Sequence, residues 1–177
     1  DANFSSNPTS GTVTEENGII TATSATSVGT EVQLTNRNIT VGKVYKVSFS
    51  LSNVTGGNFR PSVGNQYTTA QTEDGDYVFY IKYTSGVNRF YFAFGDFTGT
   101  VSNISVKEVG ENWVFGAGQS ISEVNGSLKA SFSSGADVYF YQSASLQPNK
   151  KYRISFDISE YSQGGIRPIV FGAPPDV

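Results

Sequence analysis

Two arginines stand in matching settings that could present a guanidinium group to a ligand. Arg60 follows the pair Gly56-Gly57 and precedes a proline, and Arg167 follows a second Gly-Gly pair and also precedes a proline. A guanidinium group is planar and forms paired hydrogen bonds with carboxylates and similar acceptors. The alternative is structural, because an arginine stem can cover a sheet while its head binds a local carboxylate or carbonyl. The sequence leaves both interpretations open.

Composition excludes several kinds of chemistry. The chain of 177 residues has no His and no Cys, which removes Ser-His-Asp triads, Cys-His pairs and ordinary zinc sites. No two carboxylates stand in a pattern that would flank a glycosidic bond. With 12 basic and 15 acidic residues, the chain lacks the basic surface typical of nucleic-acid binding. We therefore expect no enzymatic activity, no cofactor and no nucleic-acid partner.

Neither a metal site nor a membrane span is expected. The stretch Glu73-Asp74-Gly75-Asp76 could supply oxygen ligands to calcium, but it lacks the spacing of an EF-hand loop. An acidic hairpin turn explains the same residues equally well. No apolar run approaches the roughly 18 residues that a membrane-spanning helix needs, so a membrane is not among the expected partners.

Alternating side chains predict β-strands over much of the chain. Tyr45, Val47, Phe49 and Leu51 alternate with polar residues, which is the pattern of a strand with one buried face. The same alternation recurs over residues 77–83 and 90–94, and turn pairs such as Asn-Gly and Asp-Gly separate the runs. No amphipathic helix of more than about ten residues is indicated. We predict an all-β fold, an antiparallel β-sandwich of jelly-roll type.

The chain also contains an internal repeat with a period of about 107 residues. Residues 41–52 resemble residues 148–159, and the same offset relates Gly57 to Gly164 and Arg60-Pro61 to Arg167-Pro168. Alternation alone is common in β-proteins, but one offset shared by a strand, a glycine and an Arg-Pro pair is not. We therefore divide the chain into a complete first repeat, residues 1–108, and a partial second repeat, residues 109–177.

The second repeat lacks the counterpart of residues 65–108, which hold three predicted strands of the first. A sandwich without them would expose sheet edges and half of its core. The apolar side chains affected are Phe132, Tyr139, Tyr152, Ile154, Phe156 and Ile158. We expect further residues downstream to complete the second repeat, or a strand from another subunit to do so.

The junction between the repeats resembles that of a known family. Residues 101–116, VSNISVKEVGENWVFG, combine an Ile-Ser-Val-Lys-Glu-Val strand with a Trp restart, and residues 152–158, YRISFDI, follow later. This combination resembles the tandem jelly-roll repeats of bacteriophage tail-fibre and other virion-surface proteins, which are similar to carbohydrate-binding modules. The first repeat has Phe4 where the restart Trp is expected, so Trp113 is interpreted as a hydrophobic plug at the junction.

The resemblance implies a glycan-binding face. Such a face needs aromatic rings for sugars and planar polar groups for their hydroxyls. The candidate residues, on the side of the strands opposite the predicted core, are Arg60, Tyr80, Lys82 and Tyr91 in the first repeat and Arg153 and Arg167 in the second. Tyrosines on strands are also simply good β-formers, so a structural role is the alternative.

The resemblance further implies a non-catalytic protein of the virion surface, either a tail fibre or a capsid decoration. Its expected partners are other virion proteins or copies of itself, and host-surface glycans. The alternative is a carbohydrate-binding module of a secreted bacterial enzyme whose catalytic domain lies elsewhere.

Overall fold

The computed structural model describes residues 8–26, 31–34, 39–110, 113–116, 119–124, 127–132 and 138–170. Its regular elements are all strands: β1 (Ser10–Glu16), β2 (Ile19–Thr26), β3 (Glu31–Leu34), β4 (Val44–Val63), β5 (Gln66–Tyr67), β6 (Gly75–Lys82), β7 (Phe90–Val109), β8 (Trp113–Phe115), β9 (Gln119–Val124), β10 (Ser127–Phe132) and β11 (Phe140–Gln142). Their pairings are antiparallel. The all-β prediction is confirmed for these residues, none of which belongs to a helix that could cross a bilayer. Phe4, the predicted counterpart of Trp113, lies outside them.

Two strands of 20 residues, β4 and β7, organise the N-terminal region (residues 8–110). They pair with each other along most of their length. On its other side β4 pairs with β6 through residues 44–51 and with β5 through residues 62–63. β7 pairs with β3 through residues 90–93 and with β2 through residues 97–101. β7 is therefore the strand that joins β2, β3 and β4.

The long strands bend so that their two halves face each other. Phe49 and Phe59 are separated by residues 50–58 of β4, which in a straight strand would place them about 33 Å apart. Their ring centroids are 4.9 Å apart. The bend falls where the register with β7 shifts, between Ser52 and Asn58. There Gly57 has a φ of 71°, and a Cβ would lie 2.3 Å from the carbonyl oxygen of Asp96, so this position requires glycine.

Aromatic rings fill the space between the two halves. Phe59 packs against Phe92, Phe94 and Phe97 with centroid distances of 5.2, 5.3 and 5.7 Å. Phe49 and Phe92 are buried, as the alternation predicted. Because burying one such side chain stabilises a fold by about 1.5–3 kcal/mol, this cluster makes a large contribution to the stability of the N-terminal region.

The described strands of the C-terminal region (residues 113–170) are short. β9 and β10 form an antiparallel hairpin, and β8 pairs with β11. Residues 143–170 form no strand, although residues 152–158 were predicted to be one. The predicted inward-facing side chains Tyr152, Ile154, Phe156 and Ile158 are 51–55% exposed. No described strand pairs with this segment, so no sheet forms there whose face these side chains could cover.

Candidate functional site

A cluster of stacked cationic and aromatic side chains lies on the face of β4 opposite the core. The Arg60 guanidinium lies over the Tyr67 ring, with its carbon 4.5 Å from the ring centroid. Tyr67 meets Tyr91 edge to face at 5.5 Å, and the Arg89 guanidinium lies 5.3 Å from the Tyr91 centroid. The four side chains therefore form a continuous chain of cation–π and aromatic contacts. We call these four residues the Arg60–Tyr67 cluster.

Strand register explains how the cluster forms. Ser62 of β4 pairs with Tyr67 of β5 on one side and with Tyr91 of β7 on the other, and paired residues project on the same face. Ser62 is small, so the two rings meet above it. Arg60 lies two residues earlier on β4 and therefore on the same face. The hydroxyl of Ser62, which is buried, donates to the carbonyl of Gly64 at 3.0 Å.

Two of the four cluster residues are exposed enough to contact a ligand, and Tyr91 lies beneath them. Arg60 is exposed, and Tyr67 is 47% exposed. Tyr91 is 2% exposed, which corrects the expectation that it lies on an open face. Both sides of β7 are buried over residues 90–94. β5 lies beside β4 in the sheet, and the Tyr67 ring reaches over Ser62 to meet Tyr91 on the outer side. Tyr91 therefore holds Tyr67 in place.

Sequence reasoning did not identify Tyr67. Gly64-Asn65 is a two-residue connection between Val63 and Gln66, which pair with each other. Glycine followed by asparagine is a hairpin signal. A hairpin closed at that point places Tyr67 opposite Ser62. The Gly64-Asn65 turn was therefore the sequence signal from which the position of Tyr67 could have been predicted.

Tyr80 and Lys82 lie elsewhere, beneath the C-terminal region. The Lys82 ammonium donates to the backbone carbonyls of Phe115, at 2.5 Å, and Gly116. Tyr80 is half-buried and packs against an apolar group built from both regions: Val44, Val109, Phe115, Ile121, Trp113, Leu128 and Ala130. The expectation that these two residues share an open face with Arg60 is wrong, because β8–β10 cover this part of the sheet. Trp113 packs within the same group, as predicted for a plug at the junction.

An ion pair adds to this junction. The Lys46 ammonium lies 3.1 Å from the Glu123 carboxylate of β9 and 5.9 Å from the centroid of the Tyr80 ring. The hydrogen bond to Glu123 raises the pKa of Lys46. Burial lowers the pKa of Lys82, since its charge is withdrawn from water. The junction therefore shifts the pKa values of the two lysines in opposite directions.

Arg153 and Arg167 lie on the exposed segment of residues 143–170. Neither makes an ion pair with another residue that the structure describes. The Gly-Gly-to-Arg-Pro setting shared by Arg60 and Arg167 therefore leads to two surroundings. Arg60 is stacked on a ring, whereas no described strand pairs with the segment that carries Arg167.

The acidic turn is bound to β4. The Asp74 carboxylate accepts hydrogen bonds from the amides of Asn53, at 3.2 Å, and Val54, at 2.8 Å. Asp76 accepts from the Ser50 hydroxyl at 2.5 Å. In the described part of the chain no three acidic side chains come together in a way that could hold a metal ion. A concavity of about 230 Å³ lies at the β1–β2 turn, lined by Thr14, Glu16, Asn17, Ile19 and Thr21, and includes none of the predicted site residues.

Comparison with known proteins identifies no relative of this chain. No protein-family model matches the sequence, and no curated protein matches it. The described residues define the class of protein by fold and surface alone. It is an all-β protein of antiparallel sheets that carries a surface cluster of arginine and tyrosine.

Proposed function

We propose that the chain is a non-catalytic structural and adhesion protein of a virion surface, a phage tail fibre or a capsid decoration. Its jelly-roll-like repeats would recur with a period of about 107 residues. Its adhesive surface would be the Arg60–Tyr67 cluster, which contacts host-surface glycans. The observation that carries the proposal is the exposed Arg60 guanidinium held over the half-exposed Tyr67 ring.

The chemistry of the cluster suits a sugar with polar equatorial groups. Arg60 makes no ion pair with another described residue, so the hydrogen-bonding edge of its guanidinium is available. That edge can bind two adjacent hydroxyls or a sugar carboxylate, while the exposed part of the Tyr67 ring offers apolar contact to ring C–H groups. The stacking on Tyr67, itself supported by Tyr91, restricts the guanidinium before binding and lowers the entropic cost of fixing it.

A structural role is favoured by the junction. Lys46, Tyr80 and Lys82 connect β4 and β6 to the β8–β10 segment through an ion pair, apolar packing and hydrogen bonds to backbone carbonyls. A firm junction between successive modules is what a fibre or decoration protein requires. The alternative, a carbohydrate-binding module of a secreted enzyme, would use the same cluster but would be purified as a soluble protein rather than with particles.

A glycan array followed by titration calorimetry tests the adhesive role. The wild-type chain should bind one group of glycans, and Arg60→Gln and Tyr67→Ser should each weaken that binding at least about tenfold, since a charge-assisted contact contributes about 1.5–3 kcal/mol. The matched control is Lys107→Gln, another exposed cation of the same sheet, which should leave binding unchanged. All three variants should keep the wild-type melting temperature within a few degrees.

Two outcomes would contradict the glycan-binding role. One is the absence of binding by the wild-type chain to any glycan. The other is equal loss of binding in Lys107→Gln and Arg60→Gln, which would indicate non-specific attraction to positive charge. Unfolding of Arg60→Gln would instead assign Arg60 to the structural alternative.

A further inference from the structure

The segment that begins at Gln147 repeats the local structure of β4 without its neighbours. At the start of β4 the amide of Thr40 donates to the Tyr45 hydroxyl at 2.8 Å. At the corresponding place the amide of Gln147 donates to the Tyr152 hydroxyl, also at 2.8 Å. The same turn therefore precedes both segments.

The backbone torsion angles of the two segments also match at later positions. Asn53 of β4 has a φ of 54°, and Glu160, at the matching position, has a φ of 53°. Gly57 and its counterpart Gly164 both have positive φ, at 71° and 91°. A non-glycine residue rarely adopts such a φ, so its recurrence at matched positions is informative. Residues 147–164 therefore share these backbone features with residues 40–57, although they form no strand. We call residues 150–158 the unpaired segment.

The surroundings of the two segments are opposite. Tyr45 and Phe49 are 5% and 2% exposed, whereas Tyr152 and Phe156 are 51% and 52% exposed. β4 is buried because β6 and β7 pair with it on both sides. The unpaired segment has neither neighbour among the described residues.

Among its described residues the C-terminal region has no strand that corresponds to β7, the strand that joins the others in the N-terminal region. There, β7 pairs with β2, β3 and β4. By chain order and turn position, β10 corresponds to β2, β11 to β3 and the unpaired segment to β4. In the C-terminal region no described strand pairs with all three: among the described strands β10 pairs only with β9 and β11 only with β8, and β10 contacts β11 through the stacked rings of Phe132 and Phe140. One strand of the β7 kind would join all three.

We propose that the C-terminal region takes up a partner polypeptide strand of the β7 type, which pairs at once with β10, β11 and the unpaired segment. The partner strand would be about as long as β7, which has 20 residues. It would alternate aromatic and β-branched side chains toward Phe132, Tyr152, Ile154 and Phe156. This is addition of a strand to exposed strand edges, in which backbone hydrogen bonds supply affinity and alternate side chains supply specificity.

Charge indicates the direction of the partner strand. In the N-terminal region Lys43, just before β4, lies 2.9 Å from Glu108 near the end of β7. Its counterpart Lys150 makes no ion pair with a described residue. The partner should therefore run antiparallel to the unpaired segment and place a carboxylate near Lys150.

A folded second copy cannot donate its own β7, since that strand carries the core residues Phe92, Phe94 and Val101.

Hydrogen–deuterium exchange with a synthetic peptide tests the proposal. The peptide is residues 88–110 of this sequence, added to the full chain. We expect slower exchange in three separate places together: residues 127–132, 140–142 and 150–158. The control peptide carries Phe92→Ser and Val101→Ser, keeps the length and charge, and should protect none of them.

A charge exchange gives a second, independent readout. Lys150→Glu in the chain should weaken peptide binding about 2- to 5-fold, as an exposed ion pair contributes up to about 1 kcal/mol. A peptide with Glu108→Lys should restore the affinity of that variant. Lys150 is exposed, so its substitution should not unfold the chain.

Three results would overturn the proposal. The first is no protection at any peptide concentration. The second is protection of only one of the three segments, which would mean simple edge pairing. The third is protection that arises without peptide as the chain self-associates, which would make a second copy the occupant. The glycan titration is independent of all three, so neither proposal depends on the outcome of the other.

Discussion

Residues 44–51 and residues 151–158 have the same alternation of large apolar and polar side chains, yet one is the centre of a sheet and the other lies exposed. Val44, Val47 and Phe49 are buried between β6 and β7 and the layers above and below. Phe156, the counterpart of Phe49, is half-exposed. Alternation therefore specifies which side chains can enter a core, whereas the neighbouring strands determine whether a core forms around them.

The largest expected difference between the two segments is in the energetic cost of truncating a ring. Phe49→Ala should lower the free energy of unfolding by about 3–5 kcal/mol, because it removes a buried ring and leaves a cavity. Phe156→Ala should change it by no more than about 0.5 kcal/mol, since an exposed ring loses little on truncation. Urea denaturation of both variants measures the difference. Equal destabilisation would show that the unpaired segment is packed in solution.

A smaller difference is expected at the matched glycines. Gly57→Ala should destabilise by about 1–3 kcal/mol from backbone strain alone, and the clash with the backbone of Asp96 adds to this. Gly164 also has positive φ, but nothing lies within 4 Å of a Cβ built there. The exposed chain around Gly164 can therefore relax, and Gly164→Ala should be close to neutral. The melting temperatures of the two variants measure this difference. A larger decrease for Gly164→Ala than for Gly57→Ala would contradict the assignment of the bend to residues 52–58.

The smallest expected effect concerns the junction and depends on pH. The pKa of Lys82 is lower when folded than its ordinary value of 10.5, so the unfolded chain binds that proton more tightly. The contribution of Lys82 to stability should therefore rise as pH increases through its folded pKa toward 10.5. Lys46 has a raised pKa, so its contribution is fully present below 10.5 and is lost above it.

Urea denaturation across alkaline pH, comparing wild type with Lys82→Met and Lys46→Met, separates the two lysines. Relative to the variant, the wild type should gain stability with pH in the first comparison and lose it in the second. Lys107→Met serves as the control, because Lys107 is exposed on the same sheet. Parallel profiles for all three variants would mean that β8–β10 do not cover this face in solution.

Much of the N-terminal region could be predicted from the sequence because its signals are local. The alternation around Phe49 and Phe92 has a period of two residues, and both side chains are buried as predicted. The candidate site was predicted less well. Arg60 is exposed as expected, but its partner Tyr67 was missed because the contact depends on the Gly64-Asn65 hairpin and on the small Ser62 between two rings. Alternation contains no information about such neighbours.

Residue types and their spacing are enough to predict the strand character of the chain, the set of side chains able to face a core, and the absence of histidine and cysteine chemistry. These follow from the covalent chain, since residue type and two-residue periodicity act over a few neighbours. Which outer faces stay open to solvent depends on the tertiary contacts. Tyr91 is buried with the Tyr67 ring against it, and the Lys82 ammonium donates to the Phe115 carbonyl of β8. Burial depends on segments distant in sequence, and for that reason two faces with the same alternation have different environments.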